Sequence, residues 1–234
     1  MLTVAILAGG LATRLRPITE AIPKALIEIA GEPFIYHQLR YLNKQGIQKV
    51  VLCIGYLGEM IQELVGDGSK FGVQVSYSFD GPKLLGTGGA IMAALPMLGQ
   101  SFYIFYGDSY LPINFKSVEQ AHLSSNQLGL MTVLKNENQW DKSNVIFENN
   151  CLIEYNKEAI KPNMAYIDYG LGILSAQVFN DYPEGESFDL SKVYNELSLK
   201  RQLYGYEVFE RFYEIGSHQG ILEAEAYITS REKR

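Results

Sequence analysis

The sequence predicts an α/β fold built on a mostly parallel central sheet, with an inserted mixed-sheet region later in the chain. Three observations point there. In the first half, apolar runs of strand length alternate with stretches of helical spacing, the pattern of βαβ units joined by right-handed crossovers. The second half loses that regularity and gains a hairpin signal. Hydrophobic residues make up 47% of 234, enough for a full core. Yet no run approaches the roughly 18–20 apolar residues of a membrane span.

Taken in order, residues 2–7, "LTVAIL", read as a short buried strand. Residues 32–46 show helical spacing at Phe34, Tyr36, Leu39 and Leu42, and Gly46 fits a C-cap. A second buried strand spans 47–55, and a helix over 56–66 stops at Gly66. Residues 73–79 alternate like a third strand, 88–98 are helical with small residues at the start, and 101–108 form a fourth strand. Residues 128–134 look like another core strand. Two short strands at 144–156 flank Asn149-Asn150, a turn-forming pair. Residues 165–174 make a strand with a glycine break. A helix within 187–200 starts at or near Asp189 or Ser191, a strand covers 202–209, and a closing helix covers 219–230. Neither repeats nor low-complexity tracts interrupt this, so one domain over 1–234 is expected.

Composition narrows the partners. The formal net charge of −6 argues against broad nucleic-acid binding. The first residues lack a basic n-region and enter a strand pattern at once, so no signal peptide is expected. Cys53 and Cys151 lie in apolar runs and read as buried free thiols, which places the chain in the reducing cytoplasm. His37, His122 and His218 are scattered, with no Cys or His pair at zinc spacing. The 16 tyrosines and 11 phenylalanines sit mostly in strands, as core. No membrane and no nucleic-acid partner is expected, and the reading leaves room for a homo-oligomer.

The chemistry concentrates where the first strand ends, in "LAGGLATRLRP" at 7–17. Ligands in open α/β sheets sit beyond the carboxyl ends of strands. Gly9 and Gly10 bare backbone N–H groups to an approaching phosphate. Arg14 and Arg16 bring forked cationic donors, and Lys24 adds a point charge from the next loop. A Walker A loop needs Gly-Lys-Ser/Thr, and a dinucleotide fingerprint needs G-x-G-x-x-G. Neither "GGLATR" nor "GTGGAI" fits.

This loop, with "PKAL" downstream, resembles the signature of the sugar-1-phosphate nucleotidyltransferases. "GTGGAI" at 86–91 resembles the family loop facing nucleobase and ribose. "YGDSYL" at 106–111 resembles its G-D metal motif, and "FYEIGSHQGIL" at 212–222 its late D-I-G-T segment. Two departures stand out. Ala12 replaces a family glycine, so the loop must avoid positive φ there or carry strain. Glu214 replaces the late aspartate.

The resemblance implies a Rossmann-like three-layer sandwich of the GT-A type. Residues of about 1–135 would form a nucleotide-binding half, and about 136–234 a sugar-binding, closing half. It implies attack of a sugar-1-phosphate oxygen on the α-phosphorus of an NTP, giving NDP-sugar and pyrophosphate. A phosphate monoester is already ionised near neutral pH, so no general base is needed. Arg14, Lys24 and Asp108 would be catalytic. Leu7, Ala8, Gly9, Gly10, Thr13, Arg14, Asp80, Gly86, Thr87 and Gly107 would hold the nucleotide. Asn156, Lys157, Asp168 and Tyr169 would meet the sugar and its phosphate. Asp108 and Glu214 would hold Mg²⁺.

Asp80 could accept from guanine N1–H and N2–H₂, which favours GTP with a heptose or hexose 1-phosphate over UTP with an N-acetylated sugar phosphate. Plain structural roles stay open: a cap or Asx turn for Asp108, a surface charge for Glu214, a turn for Asp80, and strand positions for Asp168 and Tyr169. A nucleotide-sugar sensor without turnover, or a cytidylyltransferase on a non-sugar phosphate, would share the loop. The last helical pattern ends close to Arg234, so a single activity is expected, without the C-terminal β-helix that relatives often carry.

Overall fold

A computed structural model describes residues 1–232. β1 (Thr3–Leu7) leads through α1 (Ile18–Ala21) and a small ribbon, β2 (Glu28–Ile29) with β3 (Glu32–Pro33), into α2 (Phe34–Lys44). Then follow β4 (Lys49–Ile54), α3 (Gly58–Val65), β5 (Gln74–Phe79), α4 (Gly86–Leu98) and β6 (Ser101–Tyr106). The later part runs β7 (Ser109–Tyr110), α5 (Phe115–Ser125), β8 (Gly129–Lys135), β9 (Val145–Glu148), β10 (Cys151–Tyr155) and β11 (Tyr166–Ser175). It closes with α6 (Leu190–Leu199), β12 (Leu203–Val208), β13 (Tyr213–Glu214) and α7 (His218–Glu232).

Nine strands share one sheet. One half is all parallel: β6 and β4 flank β1, and β5 lies outside β4. β11 then runs antiparallel to β6, placing Gly172 opposite Ile104. On its far edge β11 pairs with β8, with a register shift between Asp168 and Gly172 where Gly170 adopts φ 102°. β12 runs parallel to β8. This is the expected α/β sandwich, with a parallel centre and a mixed extension.

Strand side chains alternate between faces, and the core divides accordingly. Val4 and Ile6 join Leu39, Ile61 and Val118 under α2, α3 and α5. Ala5 and Val51 join Ile91, Ala94, Val193 and Leu197 under α4 and α6. Each fully buried Val, Leu or Ile among them contributes on the order of 1.5–3 kcal/mol. A third cluster, with Leu15, Phe34, Ile215 and Ile228, seats α7 against the loop after β1.

Several local expectations hold. Asn149 and Asn150 both take positive φ (51° and 59°), the conformation of a tight type I′ hairpin turn. Asp189 is the N-cap of α6, its Oδ1 accepting the Ser191 N–H at 2.8 Å. Two readings are corrected. Cys151 is exposed rather than buried, because it opens the edge strand β10 directly after the turn and faces outward. Helix α5 has no counterpart in the sequence reading. Its buried positions are few (Phe115, Val118, His122), and its start is set by Asn114, whose Oδ1 accepts the Ser117 N–H at 3.0 Å. No helix of the described residues is long and apolar enough to cross a membrane.

Candidate active site

The exits of β1, β4 and β6 touch. A Cβ on Gly9 would lie 2.9 Å from Gly55 N, and one on Gly107 would lie 2.8 Å from Leu7 O. A Cβ on Gly55 would meet an Asp80 carboxylate oxygen at 2.9 Å. These glycines let three backbones converge. Gly10 differs, since nothing lies within 4 Å of its Cβ position, so its backbone is open to a ligand. Ala12 takes the left-handed conformation, φ 46° and ψ 47°, at a cost on the order of 1 kcal/mol. Its carbonyl accepts from Leu15 N and from Thr19 Oγ1 at 2.9 Å. Those bonds fix the turn that throws Arg14 toward the cleft while burying Leu15.

A first cavity of about 330 Å³ opens at these exits. Leu7, Ala8, Gly9, Gly10, Arg14, Lys24, Asp80, Gly86, Thr87, Gly107 and Asp108 are among its lining residues. Thr13 and Arg16 are exposed and outside its lining. Arg16 instead faces Glu20 at 3.7 Å. Asp80 Oδ2 accepts the Leu85 N–H at 3.2 Å, and burial raises its pKa against that bond. The "GTGGAI" stretch splits its duties. Gly86, Thr87 and Ala90 face the cavity, but a Cβ on Gly88 would strike the Phe188 ring at 2.2 Å and one on Gly89 would strike Glu186 O at 2.5 Å. These two glycines admit the segment before α6. Thr87 Oγ1 also accepts the Leu190 N–H, at 2.8 Å.

In the lining of this cavity, Lys24 Nζ lies 2.6 Å from Asp108 Oδ2. Glu214 joins them because β13 pairs with β7, setting Glu214 opposite Ser109, while Ile215 N donates to Asp108 O at 2.9 Å. A Cβ on Gly216 would sit 3.0 Å from Glu214 Oε2 and 3.2 Å from Lys24 Nζ. The glycine thus leaves room for both heads. Burial first, then the Asp108 charge, raises the Glu214 pKa, while Lys24 and Arg14 oppose the rise. No group of three His, Cys, Asp or Glu side chains among the described residues could hold a metal ion. The Asp108–Glu214 pair matches the donor set of Mg²⁺, which takes one or two carboxylates and completes its shell with phosphates and water.

A second cavity of about 480 Å³ adjoins the first, and Tyr106 belongs to both walls. Lys157, Asp168, Tyr169 and Glu214 line it. Asp168 is pushed up to about 6 by burial, against the pull of the Gly170 N–H and the Lys157 charge. Lys157 Nζ lies 3.7 Å from Asp189 Oδ2. Tyr169 contributes ring rather than hydroxyl: it packs edge-on to Phe212, and its OH donates to Arg211 O at 3.4 Å. Asn156 is drawn away, its Oδ1 accepting the N–H groups of Glu158 and Ala159. Sequence reasoning missed Tyr106 and Gly55. It also missed Gln38, whose Nε2 donates to Tyr106 O at 2.9 Å and Ser109 O at 2.7 Å and clamps the turn carrying Asp108. Only "CIG" at the end of β4 could have signalled one of these, Gly55.

A family model described as Nucleotidyl transferase matches residues 3–231. The D-glycero-alpha-D-manno-heptose 1-phosphate guanylyltransferase of Campylobacter jejuni is 32% identical over 82% of this chain and 84% of its own. The N-acetylmuramate alpha-1-phosphate uridylyltransferase of Neisseria meningitidis is 40% identical over 49% of this chain and 50% of its own. The crystal structure of HddC from Yersinia pseudotuberculosis, complexed with GMP-PN, superposes with a TM-score of 0.78 at 25% identity, covering 97% of this chain and 100% of that one. The glycine-lined strand exits, the cation-carboxylate centre and the match over nearly the whole chain agree: this chain belongs to the nucleotidyl transferase family, among the sugar-1-phosphate nucleotidyltransferases that its motifs resemble.

Proposed function

We propose that the chain transfers a guanylyl group from GTP to a heptose or hexose 1-phosphate in the cytoplasm, releasing pyrophosphate. The observation that carries this is that two cavities share Tyr106 as a wall, with Lys24 and Asp108 lining the first and Glu214 the second. One cavity has open backbone and Arg14 for a triphosphate, and the other has Lys157 and hydroxyl-reading groups for a sugar phosphate. The acceptor's phosphate oxygen forms the new bond to the α-phosphorus as the bond to the β-phosphate oxygen breaks. Both reactants are anions, so holding them together and offsetting their charge is the main task.

Arg14 takes the departing pyrophosphate end, and Lys24 lies toward the α-phosphate and the incoming phosphate. Asp108 and Glu214 would hold Mg²⁺, which supplies charge neutralisation on the phosphates when bound. Asp80 reads the base from the far wall. GTP is favoured by that carboxylate and by the guanylyl-transferring relative of Campylobacter. UTP with an N-acetylated sugar phosphate is the second reading, favoured by the 40% identity to the uridylyltransferase of Neisseria.

A pyrophosphate-release assay crossing four NTPs with a panel of sugar 1-phosphates, with and without Mg²⁺, tests this. Turnover is expected with GTP and a heptose or hexose 1-phosphate, and only with Mg²⁺. Asp108→Asn should lose at least about 100-fold in rate with an unchanged far-UV spectrum. Near-normal turnover in that variant removes its metal role. Binding of nucleotide without pyrophosphate release from any pair would mean a sensor rather than an enzyme.

A further inference from the structure

The second cavity carries a charge pattern that its reading as the acceptor site does not use. Four carboxylates line it, Asp141, Asp168, Glu214 and Glu223, against two cations, Lys157 and Arg211. Lys157 lies at the α6 end, within 3.7 Å of Asp189. Arg211 is already engaged by two rings, a carboxylate and a backbone carbonyl. Its guanidinium lies 3.8 Å from the Trp140 ring centroid and 4.6 Å from that of Tyr213. Its Nη2 reaches Glu223 Oε2 at 2.5 Å, and its Nε donates to Phe212 O at 3.2 Å. Gln219 donates to the other Glu223 oxygen at 2.8 Å. A guanidinium stacked between two aromatic rings and paired to a carboxylate is a pin for the rim, with its charge spent.

An anionic substituent on the Asp141 side would therefore meet a carboxylate while Arg211 is held by Glu223; Lys157 is the remaining cation of the lining, and its charge is shared by Asp168 and Asp189. Hydroxyl groups suit the same wall, because Asp141 and Asp168 accept hydrogen bonds. From this pattern we infer that the acceptor is an uncharged polyhydroxy sugar bearing no anionic group besides its 1-phosphate, and that carboxylated sugar 1-phosphates are rejected. The inference rests on the reading of the second cavity as the acceptor site, and it separates the chemistry of the two named relatives, since a muramate carries a carboxylate and a heptose does not.

The test measures pyrophosphate release with GTP and UTP against two acceptor sets. The neutral set holds D-glycero-α-D-manno-heptose, mannose, glucose and N-acetylglucosamine 1-phosphates. The carboxylated set holds glucuronate and N-acetylmuramate 1-phosphates. The best neutral acceptor should exceed the best carboxylated one by at least about 30-fold in kcat/KM, the scale of like-charge juxtaposition in a site. Glu223→Gln frees the Arg211 charge and should shrink that ratio about tenfold. Asp141→Asn, on the exposed rim, should shrink it in the same direction and guards against a Glu223 variant that misfolds.

A carboxylated acceptor matching or exceeding the neutral ones overturns the inference while leaving nucleotidyl transfer intact. A ratio untouched by both variants overturns the charge argument. Silence of every NTP and acceptor pair takes down the reading of the site, and this inference with it.

Discussion

Gln38 shows how a residue without a motif can govern one with a motif. It is fully buried on α2, and its single amide nitrogen donates to both carbonyls flanking Gly107 and Asp108. Gln38→Met keeps the volume but orphans those carbonyls. The expected cost is about 2–3 kcal/mol, with kcat down about tenfold or more and KM for the NTP little changed, since displacing a catalytic carboxylate touches the reacting geometry first. Steady-state kinetics beside a thermal melt decide this, and an unaltered kcat would confine Gln38 to stability. Asp168 makes a second case. Its carboxyl is raised to about 6, chiefly by burial, against an ordinary value near 4. Between about pH 4 and 6 the native state then binds more protons than the unfolded chain, so this group's contribution to stability falls as pH rises through that window. Asp168→Asn keeps an oxygen for the Gly170 N–H and removes the charge. It should be more stable than the parent by about 1–3 kcal/mol at pH 7.5, with the advantage gone near pH 4. Melts at the two pH values check it; an equal gain at both would point to packing instead.

At the scale of elements, the parallel half was readable because β1, β4 and β6 are short apolar runs with glycine just beyond them, and β5 alternates. The hairpin was readable because Asn-Asn tolerates the left-handed region. Helix α5 was not, since three buried positions among polar residues leave no strong periodicity. The glycines of "GTGGAI" were legible as a group but not in their division of labour. Gly88 and Gly89 are there for a segment about 100 residues away in sequence, which no local pattern reveals. That segment is held by reciprocal backbone bonds, Gly88 N to Phe188 O and Phe188 N to Leu85 O, and by the Phe188 ring stacked on Tyr182 at 4.8 Å. Gly88→Ala would drive a methyl into that ring. Overpacking of this kind costs about 1–3 kcal/mol. It should also displace Asp189, hence Lys157, and raise KM for the acceptor more than KM for the NTP. Equal changes in the two KM values would show that the segment does not serve the second cavity.

For the whole molecule, the site is a joint product of both halves of the chain. Asp108 follows β6, while Glu214 arrives on β13 and is fixed by its pairing with β7. Their motifs were legible through family resemblance. The strand pairing that seats Glu214 beside Asp108 was not, because it rests on a two-residue ribbon too short to leave a signal. The cores are shared in the same way. Ile167, Tyr169, Leu171, Ile173 and Val208 pack with Val4 and Ile6 on one face. Phe147, Leu152, Leu174, Val193 and Leu197 pack with Ala5 and Val51 on the other. β11 also pairs with β6 along residues 171–175. A fragment of residues 1–135 would therefore bare one edge of β6 and strip apolar cover from both faces of the sheet. An exposed edge beside uncovered apolar faces promotes association. The fragment should show no cooperative thermal transition and should self-associate by size-exclusion chromatography, although it retains the glycine loop, Arg14, Lys24 and Asp108. A monomeric fragment with a sharp melt would mean that the parallel half folds by itself, and that the later strands were added to a finished core instead of completing it.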